Sequence, residues 1–349
     1  RNSPVFWAFI SIFSNFISFD LIRILNSLLI FATAIIFYKC LVIKFKNFNP
    51  LSLIILSTMI FLSPSLRSLS IWPYSLSWGL FFFILSIYYY LKFQSNFDLK
   101  NSLTIVTYTI VAAYIYPSFS VFYIFYLFQI FNKTKNTALI IKILIFSFIF
   151  SLPCIIYLFN TDFLKVFDDA QGVSTDLTQS LNISNKILVI GSMILYFLMP
   201  IINLKEFWIK VKNISRLQFL QIFAFCFINI YFFNFPFSNL GGGFFHKTSN
   251  LFFENNNLFF IFSILSIIII YSILEKNFNN YLLLIIIILF NPQLTIYVKY
   301  FDPLIFVLFL TLFDFDLKKH FFEKTYAYFQ FYSVIFFYYI VVYINNILY

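Results

Sequence analysis

Apolar runs of about 20 residues recur along the whole chain and are separated by short polar segments. A helix of that length crosses roughly 30 Å of hydrocarbon, so each run is long enough to span a membrane. Only 10% of the residues are charged, whereas a soluble domain carries roughly 25%. The sequence therefore predicts an all-α fold, a polytopic bundle of transmembrane helices that forms a single domain over residues 1–349.

The polar breaks between the runs predict about twelve spans and one short helix that lies at the membrane surface or is partly inserted. We expect the surface helix over residues 5–16 and the first full span over residues 21–43. The other spans are expected at 50–66, 75–92, 102–116, 118–132, 137–158, 187–203, 217–236, 257–274, 281–297, 303–314 and 325–347. One alternative stays open: residues 102–132 could form a single long helix, which would invert the orientation of every later span.

Lysines in the loops set the predicted orientation. Lys44 and Lys46 directly follow the first span, and positively charged loops face the cytoplasm. Cytoplasmic loops are then expected at 44–49, 93–101, 205–216 and 317–324, and outer loops at 161–186 and 238–256. The net charge of +10 thus reflects topology. We expect membrane lipids as partners and no nucleic acid.

Polar residues are concentrated at the predicted outer face, and no ionisable residue falls in the middle of a predicted span. Ionisable groups at mid-bilayer cost about 2.5–3.5 kcal/mol each and are typical of transport pathways. The pattern therefore favours a site at the membrane surface over a conduction path. The long outer loop at 161–186 is expected to act as a lid over an acceptor, and it carries Asp162, Asp168, Asp169 and Asp176.

Cations of the outer segments form a candidate substrate-binding site. The candidate residues are Arg23, Arg67, His246, Lys247, Lys299 and Asp302. Arginine can hold a phosphate through two hydrogen bonds, lysine supplies a compact charge, and histidine can transfer a proton near neutral pH. The alternative is that each cation only contacts lipid headgroups, and that Asp302 caps the following helix or pairs with Lys299. Three glycines at 241–243 either bring backbone N–H groups close to an anion or form a flexible loop.

The cysteines Cys40, Cys154 and Cys226 all lie in apolar runs, with no CxxC pattern and no histidine nearby. The sequence therefore predicts neither a metal centre nor a disulfide framework. No cofactor is expected, and a divalent metal ion is possible without being indicated.

Residues 62–75 form a polar crest between two apolar runs. Pro64 is predicted to end the helix before the crest, and Pro73 to lie in the first turn of the helix after it. Arg67 would then sit at the tip of a hairpin on the membrane surface, close to Trp72.

Several segments together carry a resemblance to a known family. They are Asn2-Ser3-Pro4-Val5-Phe6-Trp7, Arg23 with Asn26-Ser27, Leu62-Ser63-Pro64, residues 67–75 of the crest and Tyr88-Tyr89-Tyr90-Leu91-Lys92. A weaker likeness lies at Lys299-Tyr300-Phe301-Asp302-Pro303. Their order and spacing resemble the N-terminal half of the GT-C superfamily of membrane glycosyltransferases. The bacterial branch that contains protein mannosyltransferases and aminoarabinose transferases is the most similar.

The resemblance implies an outer-face glycosyltransferase of the bacterial inner, or plasma, membrane. Such enzymes move a sugar from a polyprenyl-phosphate donor to a glycan, lipid or protein acceptor. An acidic general base would remove the proton of the acceptor, and cations would stabilise the departing lipid phosphate. The alternatives are a lipid-linked oligosaccharide flippase or transporter, and a polysaccharide polymerase.

The chain also departs from the family pattern. Asn2 stands where the family usually has a histidine, and Trp72 with Pro73 replaces the acidic residue often found on the crest. The family's catalytic acidic residue lies in an outer loop upstream of residues 2–7, and Asp20 lies on the wrong side of that segment to take its role. We therefore expect the first span and first outer loop to precede Arg1, and the catalytic residue stays unassigned.

Overall fold

The computed structural model of the protein describes residues 4–160, 182–199, 202, 204–235, 241–291 and 296–315, together with 329–330, 332–334, 336–337 and 340. The regular structure within these ranges is helical, apart from an isolated antiparallel bridge between Leu274 and Phe315. The predicted all-α class is confirmed for the described part of the chain. Most of the acidic loop at 161–186, the loop at 317–324 and most of the span at 325–347 lie outside the described residues.

Short polar side chains begin several helices in the N-terminal half. Ser18 and Asp98 accept hydrogen bonds from backbone N–H groups three residues later. Asn49 and Ser63 also cap helices, and each is followed by a proline at the first helical position. A proline fits there because the first N–H groups of a helix have no partner within the helix.

Packing contacts divide the chain into two compact units. The first unit comprises Arg1–Ala170, Leu310–Leu312 and Tyr339–Tyr349. Its helices are α1 (Pro4–Ser14), α2 (Phe19–Lys44), α3 (Pro50–Thr58), α4 (Pro64–Ile71), α5 (Ser75–Ser95), α6 (Leu99–Ile115), α7 (Phe122–Thr134) and α8 (Thr137–Asn160), with 3₁₀ turns at Met59–Leu62 and Pro117–Val121.

Helix α5 is the centre of the first unit and packs against both α2 and α6. Phe83 of α5 is completely buried, and its ring centroid lies 4.8 Å from that of Phe119 and 4.4 Å from that of Phe122. Three residues further along α5, Ser86 shares a hydrogen bond of 2.9 Å with the phenol of the buried Tyr126. These contacts hold α7 against the core side of α5.

The second unit comprises Gln171–Phe309 and Phe313–Tyr338. Its helices are α9 (Ile183–Leu198), α10 (Leu204–Lys212), α11 (Arg216–Tyr231), α12 (Gly243–Phe253), α13 (Asn257–Ile273), α14 (Phe278–Leu289), α15 (Val298–Phe301) and α16 (Leu304–Thr311), the last of which ends within the first unit's range. Every side chain of α9 from 188 to 198 is buried, and Ser263 of α13 donates to the carbonyl of Leu188 at 3.3 Å. Helix α9 is therefore the core element of this unit. The prediction of one transmembrane domain stays a prediction.

Three helices are long and apolar enough to cross a membrane: α2, α5 and the Thr137–Ile156 part of α8. The Pro50–Leu62 and Pro64–Ile71 segments would make a fourth span as a pair bent by 66°. The predicted total of about twelve spans is not confirmed. Several of the predicted spans in the second unit correspond to helices of 10–17 residues, because apolar residues there continue beyond the helix ends.

The region 102–132 contains two helices, α6 and α7, which are separated by the 3₁₀ turn that Pro117 begins. The alternative of one long helix is therefore wrong. A proline at that position has no N–H to donate and interrupts a continuous helix.

Residues 62–75 differ from the predicted hairpin in three respects. Regular helix ends at Thr58, and Pro64 begins the new helix α4. Arg67 lies within α4 rather than at a turn, and α5 begins at Ser75, after Pro73. Proline lacks only an N–H, so Pro64 can start a helix as readily as it stops one.

Candidate functional site

The C-terminal end of α4 is held by one buried side chain of α2. Asn26 is completely buried, and its amide nitrogen donates to the carbonyl oxygens of Leu69 at 2.7 Å, Ser70 at 2.9 Å and Trp72 at 3.3 Å. The last carbonyls of a helix have no partner within the helix. Asn26 therefore supplies the donor that α4 lacks and fixes the crest against α2.

The side-chain oxygen of Asn26 fixes the start of α5. The Asn26 side-chain oxygen accepts hydrogen bonds from the indole Nε1 of Trp78 at 2.9 Å and from the hydroxyl of Ser77 at 3.3 Å. Ser27 adds a bond from its hydroxyl to the carbonyl of Ser70 at 3.1 Å. One buried amide thus joins the beginning of α2, the end of α4 and the beginning of α5.

Arg23 lies one turn before Asn26 and is oriented by the same crest. Its Nε donates to the carbonyl of Ile71 at 3.1 Å, one Nη pairs with Asp20 at 3.3 Å, and its guanidinium lies 4.9 Å from the centre of the Trp72 ring. A guanidinium has five N–H donors. Three of them have no partner among the described residues, and the side chain is 38% exposed. The guanidinium of Arg23 is therefore fixed in orientation and can still bind an anion.

Arg67 lies on α4, and its side chain is exposed. Arg23 binds the carbonyl of Ile71, one turn of α4 further on and about 6 Å along the helix axis from Arg67. Two of the predicted cations therefore belong to the same end of the first unit.

In the second unit, the triple glycine forms a tight turn before α12. Gly241, Gly242 and Gly243 have φ angles of 84°, 84° and 76°, in the left-handed region that favours glycine. The N–H of Gly242 donates to the carbonyl of Ile296 at 3.0 Å. That donor is used within the protein and is not available to an anion, and the positive φ angles account for glycine at these three positions.

His246 lies in the first turn of α12, rather than in the loop that the sequence indicated. It is fully buried, with edge-to-face ring contacts to Phe235 and Phe259 at 5.2 Å, and Asn250 approaches its Nδ1 at 3.4 Å. Burial, together with the nearby charge of Lys247, lowers the pKa of His246 to about 4. The imidazole is therefore neutral at pH 7 and supplies no positive charge to an anion.

The other predicted residues of this unit occupy neighbouring segments. Lys247 is on the exposed side of α12, and partial burial of its amine lowers the pKa of that amine. Lys299 is half-buried on α15, with Nζ 5.0 Å from the ring centre of Tyr297 and 5.3 Å from that of Tyr300. Asp302 directly follows α15 and is buried.

The hydrogen bond between Gly242 and Ile296 brings the start of α12 next to the segment that leads into α15. His246, Lys247, Lys299 and Asp302 therefore belong to adjoining parts of the second unit, whereas Arg23 and Arg67 belong to the first. A single pocket formed by all of them stays a prediction.

A second polar cluster was missed by the sequence analysis. Asn185 and Asn234 bind each other reciprocally: the Asn185 amide donates to the Asn234 side chain at 2.8 Å, and the Asn234 backbone donates to the Asn185 side chain at 3.0 Å. Asn182 also donates to Asn234. The neighbouring Lys186 is only 3% exposed, and burial lowers its pKa to about 8. Asparagines are frequent throughout this chain, so their number gave no signal for this cluster.

Among the described residues, no group of three or more His, Cys, Asp or Glu side chains is arranged to hold a metal ion. Comparison with known proteins found no matching family model, no matching curated protein and no matching solved structure. The class that the fold defines is thus an all-α protein with helices able to cross a membrane.

Proposed function

We propose that this protein is a multi-pass membrane glycosyltransferase of the GT-C type in the bacterial inner membrane. It transfers a sugar from a polyprenyl-phosphate donor to a glycan, lipid or protein acceptor at the outer face. The geometry of Arg23 is the observation that carries this proposal. Its guanidinium is fixed by Ile71 and Trp72 near the start of a helix that can span a membrane, and it retains free donors.

A fixed arginine suits the phosphate of a lipid-linked donor. The planar guanidinium presents paired N–H groups that match two phosphate oxygens, whereas an ammonium acts only as a point charge. The stacking on Trp72 and the bond to Ile71 orient Arg23 before the donor arrives, so less side-chain entropy is lost on binding. Arg67, one turn away along α4, supplies a second positive charge near the same phosphate.

In the transfer step, the bond between the anomeric carbon and the phosphate oxygen breaks, and a new bond forms to the acceptor oxygen. The electron pair of the broken bond leaves on the polyprenyl phosphate, where Arg23 and Arg67 stabilise the added charge. The proton of the acceptor hydroxyl passes to an acidic general base. No residue of this chain is assigned to that role.

The proposal is tested with the protein reconstituted in liposomes that contain a polyprenyl-phosphate donor with a radiolabelled sugar. We expect release of free polyprenyl phosphate together with transfer of the label to an added acceptor. Arg23→Lys should lower the rate about tenfold or more, because it keeps the charge but loses the planar fork. The matched control is Arg216→Lys, the same change on the exposed first residue of α11.

The same assay separates the transferase from a flippase. A flippase would change the side of the membrane from which the labelled lipid is accessible, without releasing polyprenyl phosphate. That outcome, or an Arg23→Lys protein as active as Arg216→Lys, would refute the proposed role.

A further inference from the structure

Helices α2 and α5 run in the same direction, which brings their C-terminal ends to one end of the first unit. Near their beginnings, Asn26 bonds to Ser77 and Trp78. Further along both helices, the thiol of Cys40 approaches the carbonyl of Ile84 at 3.9 Å. Beyond that contact α2 continues about 6 Å to Lys44, and α5 continues about 12 Å to Lys92.

Helices α6 and α7 bring further lysines to this end. Lys133, in the last turn of α7, lies with Nζ 5.9 Å from the ring centre of Phe97, in the turn between α5 and α6. Lys100 lies in the first turn of α6, and Lys135 directly follows α7. We call this the lysine end, and its members are Lys44, Lys46, Lys92, Lys100, Lys133 and Lys135.

Acidic residues are scarce in the sequence segments that carry these lysines. Asp98 is the only aspartate or glutamate within residues 39–50, 86–101 and 129–137. Its side chain caps α6 by accepting the N–H of Asn101 at 2.8 Å. Basic residues that share one end of a unit create a positive potential there, so the lysine end attracts anions.

An aromatic surface adjoins the lysine end. The Nζ of Lys92 lies 4.5 Å from the ring centre of Tyr88 and 5.7 Å from that of Tyr89. Tyr89 stacks on Tyr108 of α6 at 5.4 Å, and Tyr108 stacks on Phe82 at 6.3 Å. These half-exposed rings run from Lys92 back along α5 for about 10 Å, measured from residue 89 to residue 82.

We propose that the lysine end and its aromatic surface bind one class of ligand, an anionic phospholipid. The phosphate lies among the ammonium groups around Lys92 and Lys133, and the acyl chain packs along Tyr89, Tyr108 and Phe82. The surface matches such a lipid because it is cationic at one end and apolar along α5 and α6. Each lysine near an anionic headgroup makes a favourable electrostatic contribution to the binding free energy, so several together favour phosphatidylglycerol over a zwitterionic lipid. This site is independent of the proposed glycosyl transfer.

The experiment is native mass spectrometry of the protein after incubation with an equimolar mixture of phosphatidylglycerol and phosphatidylcholine. We expect bound phosphatidylglycerol to exceed phosphatidylcholine several-fold. The double variant Lys92→Gln with Lys133→Gln should weaken this preference several-fold, and Lys92→Arg should keep it. The matched control is Lys276→Gln, because Lys276 has the same cation–π geometry at 4.4 Å from Tyr271 but lies in the second unit beside Glu275.

Three outcomes would overturn the proposal. They are no preference in the parent protein, an equal loss of preference in the Lys276→Gln control, and an unchanged preference in the double variant. A second experiment tests whether the lysine end binds a soluble anion instead of a lipid. Binding of inorganic pyrophosphate is measured with the protein in nanodiscs of pure phosphatidylcholine. Pyrophosphate binding that depends on Lys92 and Lys133, with no phosphatidylglycerol preference, would identify a soluble ligand and also overturn the lipid assignment.

Discussion

Gly242 and His246 are packed so closely that a Cβ atom on Gly242 would lie 2.3 Å from Nδ1 of the imidazole. Real Cβ contacts are not that short, so the imidazole can occupy its buried position only beside a glycine. The turn before α12 and the aromatic surroundings of His246 therefore depend on each other.

The first prediction follows from this contact. Gly242→Ala should lower the unfolding temperature of the purified protein strongly, because alanine at φ +84° costs about 1–2 kcal/mol before the collision with the ring is counted. Gly191→Ala is the matched control, since that position lies inside α9 and its Cβ would meet only the Ser266 hydroxyl, at 3.0 Å. The double variant Gly242→Ala with His246→Ala should regain the part of the lost unfolding temperature that is due to the collision with the ring. The part that is due to the strained backbone should remain lost. Equal melting of Gly242→Ala and the parent would contradict this packing.

The second prediction concerns pH. The pKa of His246 is lowered to about 4 in the folded protein, below the unfolded value near 6.5, so the unfolded chain binds more protons between these values. The contribution of the neutral His246 to the free energy of unfolding is fully present above pH 6.5. It is lost as the pH falls toward 4, with a slope of at most about 1.4 kcal/mol per pH unit. Unfolding temperatures measured from pH 7 to pH 4.5 should therefore fall less steeply for His246→Phe than for the parent.

Phenylalanine suits this comparison because Phe233, Phe235 and Phe259 already surround the ring. It removes the titration and keeps the aromatic packing. Identical pH profiles for the two proteins would show that His246 protonates as readily in the fold as in the unfolded chain.

The sequence was most informative where the signal is a run of apolar residues. A helix expected at 5–16 exists as α1, whereas its place at the membrane surface stays a prediction, and the break at Pro117 separates α6 from α7. It was less informative about the crest, because Pro64 is compatible with both ending and starting a helix.

Side-chain roles that depend on distant parts of the chain could not be predicted. Asn26 bonds to residues more than 40 positions away, and the charge state of His246 depends on phenylalanines from α13 and from the segment after α11. Neither fact has a local signature. Arg23 was predicted as a phosphate ligand from its type and depth, but the contacts that orient it, to Ile71 and Trp72, come from the fold.

The third prediction is topological. A cysteine at Ser68, on the crest, should react with an impermeant thiol reagent added to intact cells, whereas a cysteine at Lys46 should react only after permeabilisation. The two positions lie at opposite ends of the first unit, since Lys46 follows α2 and Ser68 lies beside the end of α4 that Asn26 holds at the beginning of α2. The background should carry Cys154→Ser, because Cys154 is exposed, whereas Cys40 and Cys226 are buried. The reverse labelling pattern would invert the orientation and move the proposed site to the cytoplasm.

The last prediction tests whether Asn26 holds the crest. Asn26→Ala would remove the donor to the carbonyls of Leu69 and Trp72 and the acceptor of the Trp78 indole, and it would leave the Ser70 carbonyl with only the Ser27 hydroxyl. A lost buried hydrogen bond costs about 1–3 kcal/mol. Part of that loss should appear as local opening of α4, because the helix is short and its other end is held mainly by the Ser63 cap.

Trypsin reports this opening directly, since Arg67 is exposed on α4 but lies in a helix that must unfold to be cleaved. We expect cleavage after Arg67 to be at least tenfold faster in Asn26→Ala than in the parent. Ser27→Ala removes one bond to the same crest, from the Ser27 hydroxyl to Ser70, and should accelerate cleavage only slightly. If Asn26→Ala and the parent are cleaved at the same rate after Arg67, Asn26 does not hold the crest.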